Sequence, residues 1–391
     1  MKTNLTITRW LTVLFFSMIS LATSTAFAQG SLTPPGAPGP TMKSLDQIEP
    51  RAIVNAANTP GDSGNLFIIS QPGSYYLTTN LAGVSGKNGI EIAANNVTLD
   101  LNGFALQGGS GSGYGIIIPG AQTNITVRNG TISRWGEAGV FSESNSSLNM
   151  VFERLNVSAN GGDGIQVNGP GVVRDCNFQN NLDSGIDSLA GGVISGCTAD
   201  NNSEYGIVAY SGAVSGCSAQ DNGDRGIFIV YGAASGCSAR FNGGAGIYVY
   251  YGTVSGCSAQ SNAYYGVEVS SGTVSGCFVG NNYKSGIFVI SPGSEVIGNT
   301  CKQNNTANSI YDAGIYIDDN YNRIEDNHVT GSGYAGISVN SSCSNNIIIK
   351  NSVSSTVAGN NYLTPGSQIV GPFINTTGTI GSSNPWANFS F

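Results

Sequence analysis

The chain has 391 residues, 56 of them glycine, with 10% charged residues and a formal net charge of −8. That charge, with no basic stripe, excludes a nucleic-acid backbone as partner. So much glycine and so little charge would read as disorder if the sequence had no period; with one, it reads as a solenoid with many tight corners.

Lys2 and Arg9, an apolar run over 10–19 and then Ala26-Phe27-Ala28 form a secretory signal peptide, expected to span 1–28 with cleavage after Ala28. The protein is therefore expected to act outside the cytoplasm, as an extracellular, cell-surface or periplasmic protein. No later apolar run is long enough for a membrane span. Residues 29–60, with Pro34, Pro35, Pro38 and Pro40, read as a Pro-rich linker.

Alternating strands begin with Phe67-Ile68-Ile69 and Gly73-Ser74-Tyr75-Tyr76-Leu77, followed by Val97-Thr98-Leu99-Asp100-Leu101-Asn102-Gly103. This last stretch resembles the opening coils of the pectate-lyase-like superfamily of right-handed β-helices. The resemblance covers roughly residues 60–360. It implies the fold but no single activity, because the superfamily holds lyases, hydrolases, phage tailspikes and non-catalytic proteins.

A near-exact repeat follows, clearest in Gly-Ala-Val-Ser-Gly-Cys-Ser-Ala-Gln (212–220) and Gly-Thr-Val-Ser-Gly-Cys-Ser-Ala-Gln (252–260). A Gly-Ile or Gly-Val landmark recurs twelve times: at Gly89, Gly115, Gly139, Gly164, Gly185, Gly206, Gly226, Gly246, Gly266, Gly286, Gly314 and Gly336. Three short strands per repeat leave no room for a helix, so successive turns pair as parallel strands. We expect an all-β, single-stranded right-handed parallel β-helix over 61–359, of about twelve coils of roughly 20–25 residues, closed by a cap segment at 360–391. The longer spacings, early in the chain and at 286–314, predict loops, which in solenoids often flank a binding face.

Stacking sets like residues over like. Asn181, Asn202, Asn222, Asn242, Asn262 and Asn282 predict an Asn ladder at one corner. Cys176, Cys197, Cys217, Cys237, Cys257 and Cys277, assigned to the third strand, predict a column of buried reduced thiols. Bridging needs Cβ atoms about 3.8 Å apart and converging, which one stacked column does not offer.

On the first strand of each turn, the outward residues form two columns. One holds Asp187, Val208, Phe228, Tyr248, Glu268, Phe288 and Tyr316; the other holds Leu189, Tyr210, Val230, Tyr250, Ser270, Ile290 and Asp318. So much exposed ring surface points to a partner. Tyr210, Phe228, Tyr248, Tyr250, Phe288 and Tyr316 are candidate stacking platforms for a polysaccharide. Two readings compete: a subunit interface, making the protein a homo-oligomeric surface or assembly protein, and a cross-strand packing ladder of the rings themselves. Glu268 and Asp318, two coils apart and so roughly 9–10 Å along the stack, are the candidate acid and base for glycoside hydrolysis. Asp318 and Asp319, in an Asp- and Asn-rich stretch, offer hard oxygen ligands for calcium. No cofactor is otherwise required. The only histidine, His328, is followed by Val329, and Arg323 by Ile324-Glu325, so neither the His-Gly nor the Arg-Ile-Lys of polygalacturonase-like hydrolases is present.

Overall fold

The computed structural model describes residues 50–354, 356–357, 359–375 and 382–391. The expected signal peptide and most of the expected linker lie outside the described residues. From Arg51 onward the chain forms one compact unit, a parallel β-solenoid with no helix among the described residues. One side is a fourteen-stranded parallel sheet running from Asn65–Ile69 to Asn360–Leu363. The other two sides merge into a 28-stranded sheet. They merge because Thr123–Ser133 and Leu148–Ser158 run through the corner as single strands, bent at Asn129 (φ 59°) and Arg154 (φ 52°).

Fourteen turns stand where the glycine landmarks predict about twelve. At both ends the landmark glycine is replaced: the register puts Leu66 in line with Gly89 and Asn361 in line with Gly336. Pairing also reaches into the segment expected to be linker, where Ala52 and Ile53 align with Tyr75 and Tyr76. At the other end, Phe389 and Ser390 pair with Ser352 and Val353.

A central turn shows why this sequence winds as it does. Ile247 and Val249 point inward from the first strand, Val254 from the second and Ala259 from the third, all fully buried. Each Ile or Val so buried contributes about 1.5–3 kcal/mol. The landmark glycine is needed for space rather than for φ. A Cβ on Gly226 would lie 2.6 Å from Asn242 Nδ2 and 2.7 Å from the Gly246 carbonyl oxygen.

That amide belongs to the Asn ladder. Each buried Asn accepts on its Oδ1 both the backbone N–H and the side-chain amide of the Asn one turn earlier, as in Asn222 N–H to Asn242 at 3.2 Å and Asn222 Nδ2 to Asn242 at 3.0 Å. The ladder is longer than the six expected residues. Asn160 extends it at one end, where it accepts the Trp135 N–H at 3.1 Å, and Asn304 at the other.

The six column cysteines lie at the corner one residue before the third strand rather than in it; Cys237, for example, precedes Ser238–Arg240. All eight are free and buried. The thiols of the six column cysteines donate to carbonyl oxygens, as in Cys237 Sγ to Val214 O at 3.5 Å. After Cys277 the same corner is taken by Asn299, Asn327, Asn351 and Asn388, a second amide ladder that begins where the Cys277 N–H donates to Asn299 Oδ1.

Candidate functional site

The first-strand sheet carries both outward columns in the expected register, with Val208, Phe228, Tyr248, Glu268, Phe288 and Tyr316 in successive turns. Their rings touch. Phe228 and Tyr248 have centroids 5.2 Å apart, Phe288 and Tyr316 5.8 Å, and Tyr210 meets Phe228 edge-on at 6.0 Å. Glu268 interrupts this column between Tyr248 and Phe288.

Sequence reasoning missed a third source of rings, the residue just before the landmark glycine. Tyr205 tilts onto Phe228 at 5.8 Å and Tyr265 stacks on Phe288 at 4.3 Å. Arg225 occupies the same column, its guanidinium 4.7 Å from the Tyr248 centroid and 5.4 Å from that of Phe228. One residue further back, Lys284 Nζ lies 3.6 Å over Tyr264. Aligning the two residues ahead of each Gly-Ile would have shown both columns.

At the opposite edge of the sheet, Tyr231 and Tyr251 stack at 5.5 Å with planes 5° apart, and Tyr250 packs edge-on to Tyr251 at 4.4 Å. Tyr231 and Tyr251 are 59% and 47% exposed and are held at φ 55° and 53°, a region that bulky residues rarely adopt. The same corner holds Gly191, Ser211 and Ser271 in neighbouring turns.

Charge varies along the face. Toward the N-terminal end, burial, with Asp183 and Asp187 nearby, pushes Asp163 up to about 7. Burial and Asp183 push Asp187 up to about 6, and its Oδ1 is buried without a partner. Asp183 also raises Glu204. In the middle, burial raises Glu268, while Arg225 and Lys284 pull it back down.

The other candidate carboxylates lie past the end of the ring column, with Asp318 still near enough to help burial raise the Tyr316 phenol. Asp318 is exposed, just past strand Ala313–Ile317, where it accepts from the Asn340 side-chain amide. The register puts it two turns and two residues from Glu268, a Cα diagonal of about 12 Å at the usual strand dimensions. Asp319 turns back on its own loop, accepting from Asn320 N–H at 2.7 Å and Asn320 Nδ2 at 2.9 Å. Among the described residues, no three His, Cys, Asp or Glu side chains are grouped to hold a metal ion. His328 is exposed on the third side, in line with Thr300 and Ser352 and away from the rings.

The sequence profile described as "Right handed beta helix region" matches residues 63–214 and 233–371. The chain belongs to the right-handed β-helix family. This bears out the resemblance carried by residues 97–103. No curated protein matches the chain by sequence. Among solved structures, it is similar to the A-module of the mannuronan C-5 epimerase AlgE6 from Azotobacter vinelandii, with 16% identity over 82% of this chain and 90% of that one and a TM-score of 0.54. The AlgE4 A-module of the same organism gives 16% identity, 76% and 90% coverage and a TM-score of 0.50. At that identity the likeness is one of fold. No helix among the described residues is long and apolar enough to cross a membrane.

Proposed function

We propose that the aromatic first-strand face of this β-helix binds an extracellular polysaccharide. The observation that carries this reading is the run of touching rings from Tyr205 to Tyr316, interrupted by one half-buried carboxyl, Glu268, between the cations Arg225 and Lys284. Ring faces stack on the apolar faces of sugar rings, and polar groups set at intervals fix their orientation. The same fold in the two Azotobacter modules serves mannuronan C-5 epimerases, so an architecture of this kind can serve a glycan chain. Secretion, as the N-terminal segment implies, would bring the face to its ligand.

Affinity electrophoresis of the mature protein through gels holding neutral or acidic polysaccharides tests the reading. Tyr248→Ala and Phe288→Ala should each lower retention about tenfold, whereas Phe278→Ala, on the third side, should not. Equal retention of all three variants would refute it. Cleavage is a separate claim. A half-buried carboxyl with a raised pKa suits a general acid, but its candidate partner Asp318 is exposed, two turns and two residues away, and already accepts from the Asn340 side-chain amide. The geometry therefore supports binding ahead of two-carboxylate hydrolysis, and Glu268→Gln separates the two by abolishing any turnover without loss of retention. The exposed stack of Tyr231 and Tyr251 favours a second reading, a subunit interface; it predicts a stable oligomer in solution that Tyr248→Asp would dissociate.

A further inference from the structure

The aromatic column does not end at Tyr316. In the next two turns the register continues it through Ser338 to Leu363. One small residue between two large ones leaves a slot. Two turn spacings put Tyr316 and Leu363 about 9–10 Å apart, wide enough for a ring to enter between them. Ser338 is only 6% exposed and forms the floor. Tyr334, on the same strand side, and Asn340 bound it along the strand direction. The outer walls come from the two irregular segments of this region: Ile310 and Tyr311 from the insertion ahead of Ala313–Ile317, and Thr364 and Pro365 after Asn360–Leu363. Together they enclose a groove of about 630 Å³.

Two features of this groove differ from the middle of the face. First, among the described residues no Lys, Arg, Asp or Glu side chain lines it. At its edge the Asp318 carboxylate accepts from the Asn340 side-chain amide, and this negative charge disfavours an anion there. Second, its hydroxyls are open: among the described residues, the Ser338 hydroxyl and the phenol groups of Tyr311, Tyr316 and Tyr334 have no hydrogen-bond partner in the protein. By contrast, the half-buried Tyr362 phenol is committed to the Asn351 and Phe389 carbonyl oxygens at 2.8 and 3.0 Å. Aromatic walls, uncommitted hydroxyls and no charge suit a ligand with an apolar face and many hydroxyls of its own. A carboxylate entering here would lose water and gain no cation in return.

We propose that this groove is a subsite for an uncharged sugar residue, its ring seated over Ser338 between Tyr316 and Leu363. The inference rests on the reading of the face as a polysaccharide-binding surface and adds the class of sugar held at its C-terminal end. It also gives the face a direction, with a chain running from the cation-flanked middle toward a neutral-sugar end.

Calorimetric titration of the mature protein with neutral hexasaccharides (a β-glucan, a mannan and a galactan) and with an oligogalacturonate tests it. Ser338→Leu fills the slot from an outward position and should weaken the best neutral ligand at least tenfold while leaving any oligogalacturonate binding unchanged. Tyr316→Ala, which removes a wall without adding bulk, should act in the same direction, and thermal melts of both variants report folding. The inference is overturned if the wild type prefers the oligogalacturonate, or if both variants bind the neutral ligand as the wild type does while Phe228→Ala loses it. Failure of every hexasaccharide to bind the wild type would remove the inference and the reading of the face together.

Discussion

The turns between Gly192 and Val289 and the turns after them use the same three strands but solve different problems. In the first region the period is nearly constant, and two corner columns are chemically uniform: amide on amide, thiol on thiol. In the second, the insertion before Ala313–Ile317 and the segments after Asn360–Leu363 break the period, and these departures build the walled groove. Exact repetition gives a scaffold whose parts are interchangeable along the axis. Loss of repetition gives a place that differs from all others, which a binding site requires.

The comparison is broken most directly at the ladder. Asn242→Ala removes an acceptor shared by Asn222 N–H and Asn222 Nδ2, and a donor to Ala219 O and Asn262 Oδ1. Buried polar groups left without partners should cost about 3 kcal/mol, read as a lower urea midpoint. Asn299→Ala, in the ladder of the later turns, should cost a similar amount, because it too joins two turns. A difference of more than about twofold would show that the two regions do not share one mode of stacking.

A smaller effect is expected where the column ahead of the landmark glycine holds a buried acid. Asp163 stands at about 7 in the folded protein, against about 3.9 for an unperturbed Asp. The folded state therefore binds more protons than the unfolded chain between pH 4 and 7, so stability falls as pH rises through that window and the loss is complete above 7. Asp163→Asn keeps an oxygen for the Ser184 N–H, bonded at 2.9 Å, and loses the charge. It should gain on the order of 2 kcal/mol at pH 8 and nothing at pH 4. A pH-independent effect of this substitution would remove the electrostatic account.

Smaller again is the effect of moving the boundary between thiols and amides. Cys277→Asn sets a new amide against Asn299 Oδ1, in the arrangement by which Asn299 joins Asn327, and should change stability by less than about 0.5 kcal/mol. Cys237→Asn places the same amide between two thiols, which are weak partners, and should cost about 1 kcal/mol. Equal midpoints for the two variants would mean that the column is indifferent to its neighbours. Thiol titration after unfolding should count all eight cysteines as free.

The fold was legible because its signal is repeated: the Gly-Ile landmark, the Asn five places after Cys and the alternation around Phe228 and Tyr248 each recur turn after turn. The ends of the stack were not, since Leu66 and Asn361 carry none of that pattern and are placed only by pairing with neighbours. The outward columns were read correctly from alternation, yet Tyr205, Tyr265, Arg225 and Lys284 were missed. They sit at a corner, where period-two alternation stops and only side-chain reach brings them over Phe228, Phe288, Tyr248 and Tyr264. The groove over Ser338 was least legible, because it depends on two segments without repeats meeting above a strand.

The corner tyrosines give the smallest expected change in stability and so the cleanest separation of scaffold from site. At φ 53°, Tyr251 occupies a backbone region that favours Gly or Asn, and a bulky residue there costs on the order of 1 kcal/mol. Its stacking on Tyr231 and its contact with Tyr250 return a similar amount, about 0.5–1.5 kcal/mol. Tyr251→Asn exchanges one for the other, so the urea midpoint should move by less than about 0.5 kcal/mol. Nothing in the fold then requires a half-exposed ring at this corner, since the turns on either side manage with Gly191, Ser211 and Ser271. If the ring serves the face instead, the same variant should lose glycan retention several-fold with its stability intact. A variant that keeps full retention would confine the binding surface to the strand columns and leave the corner pair to the interface reading, where loss of an oligomer is the outcome to measure.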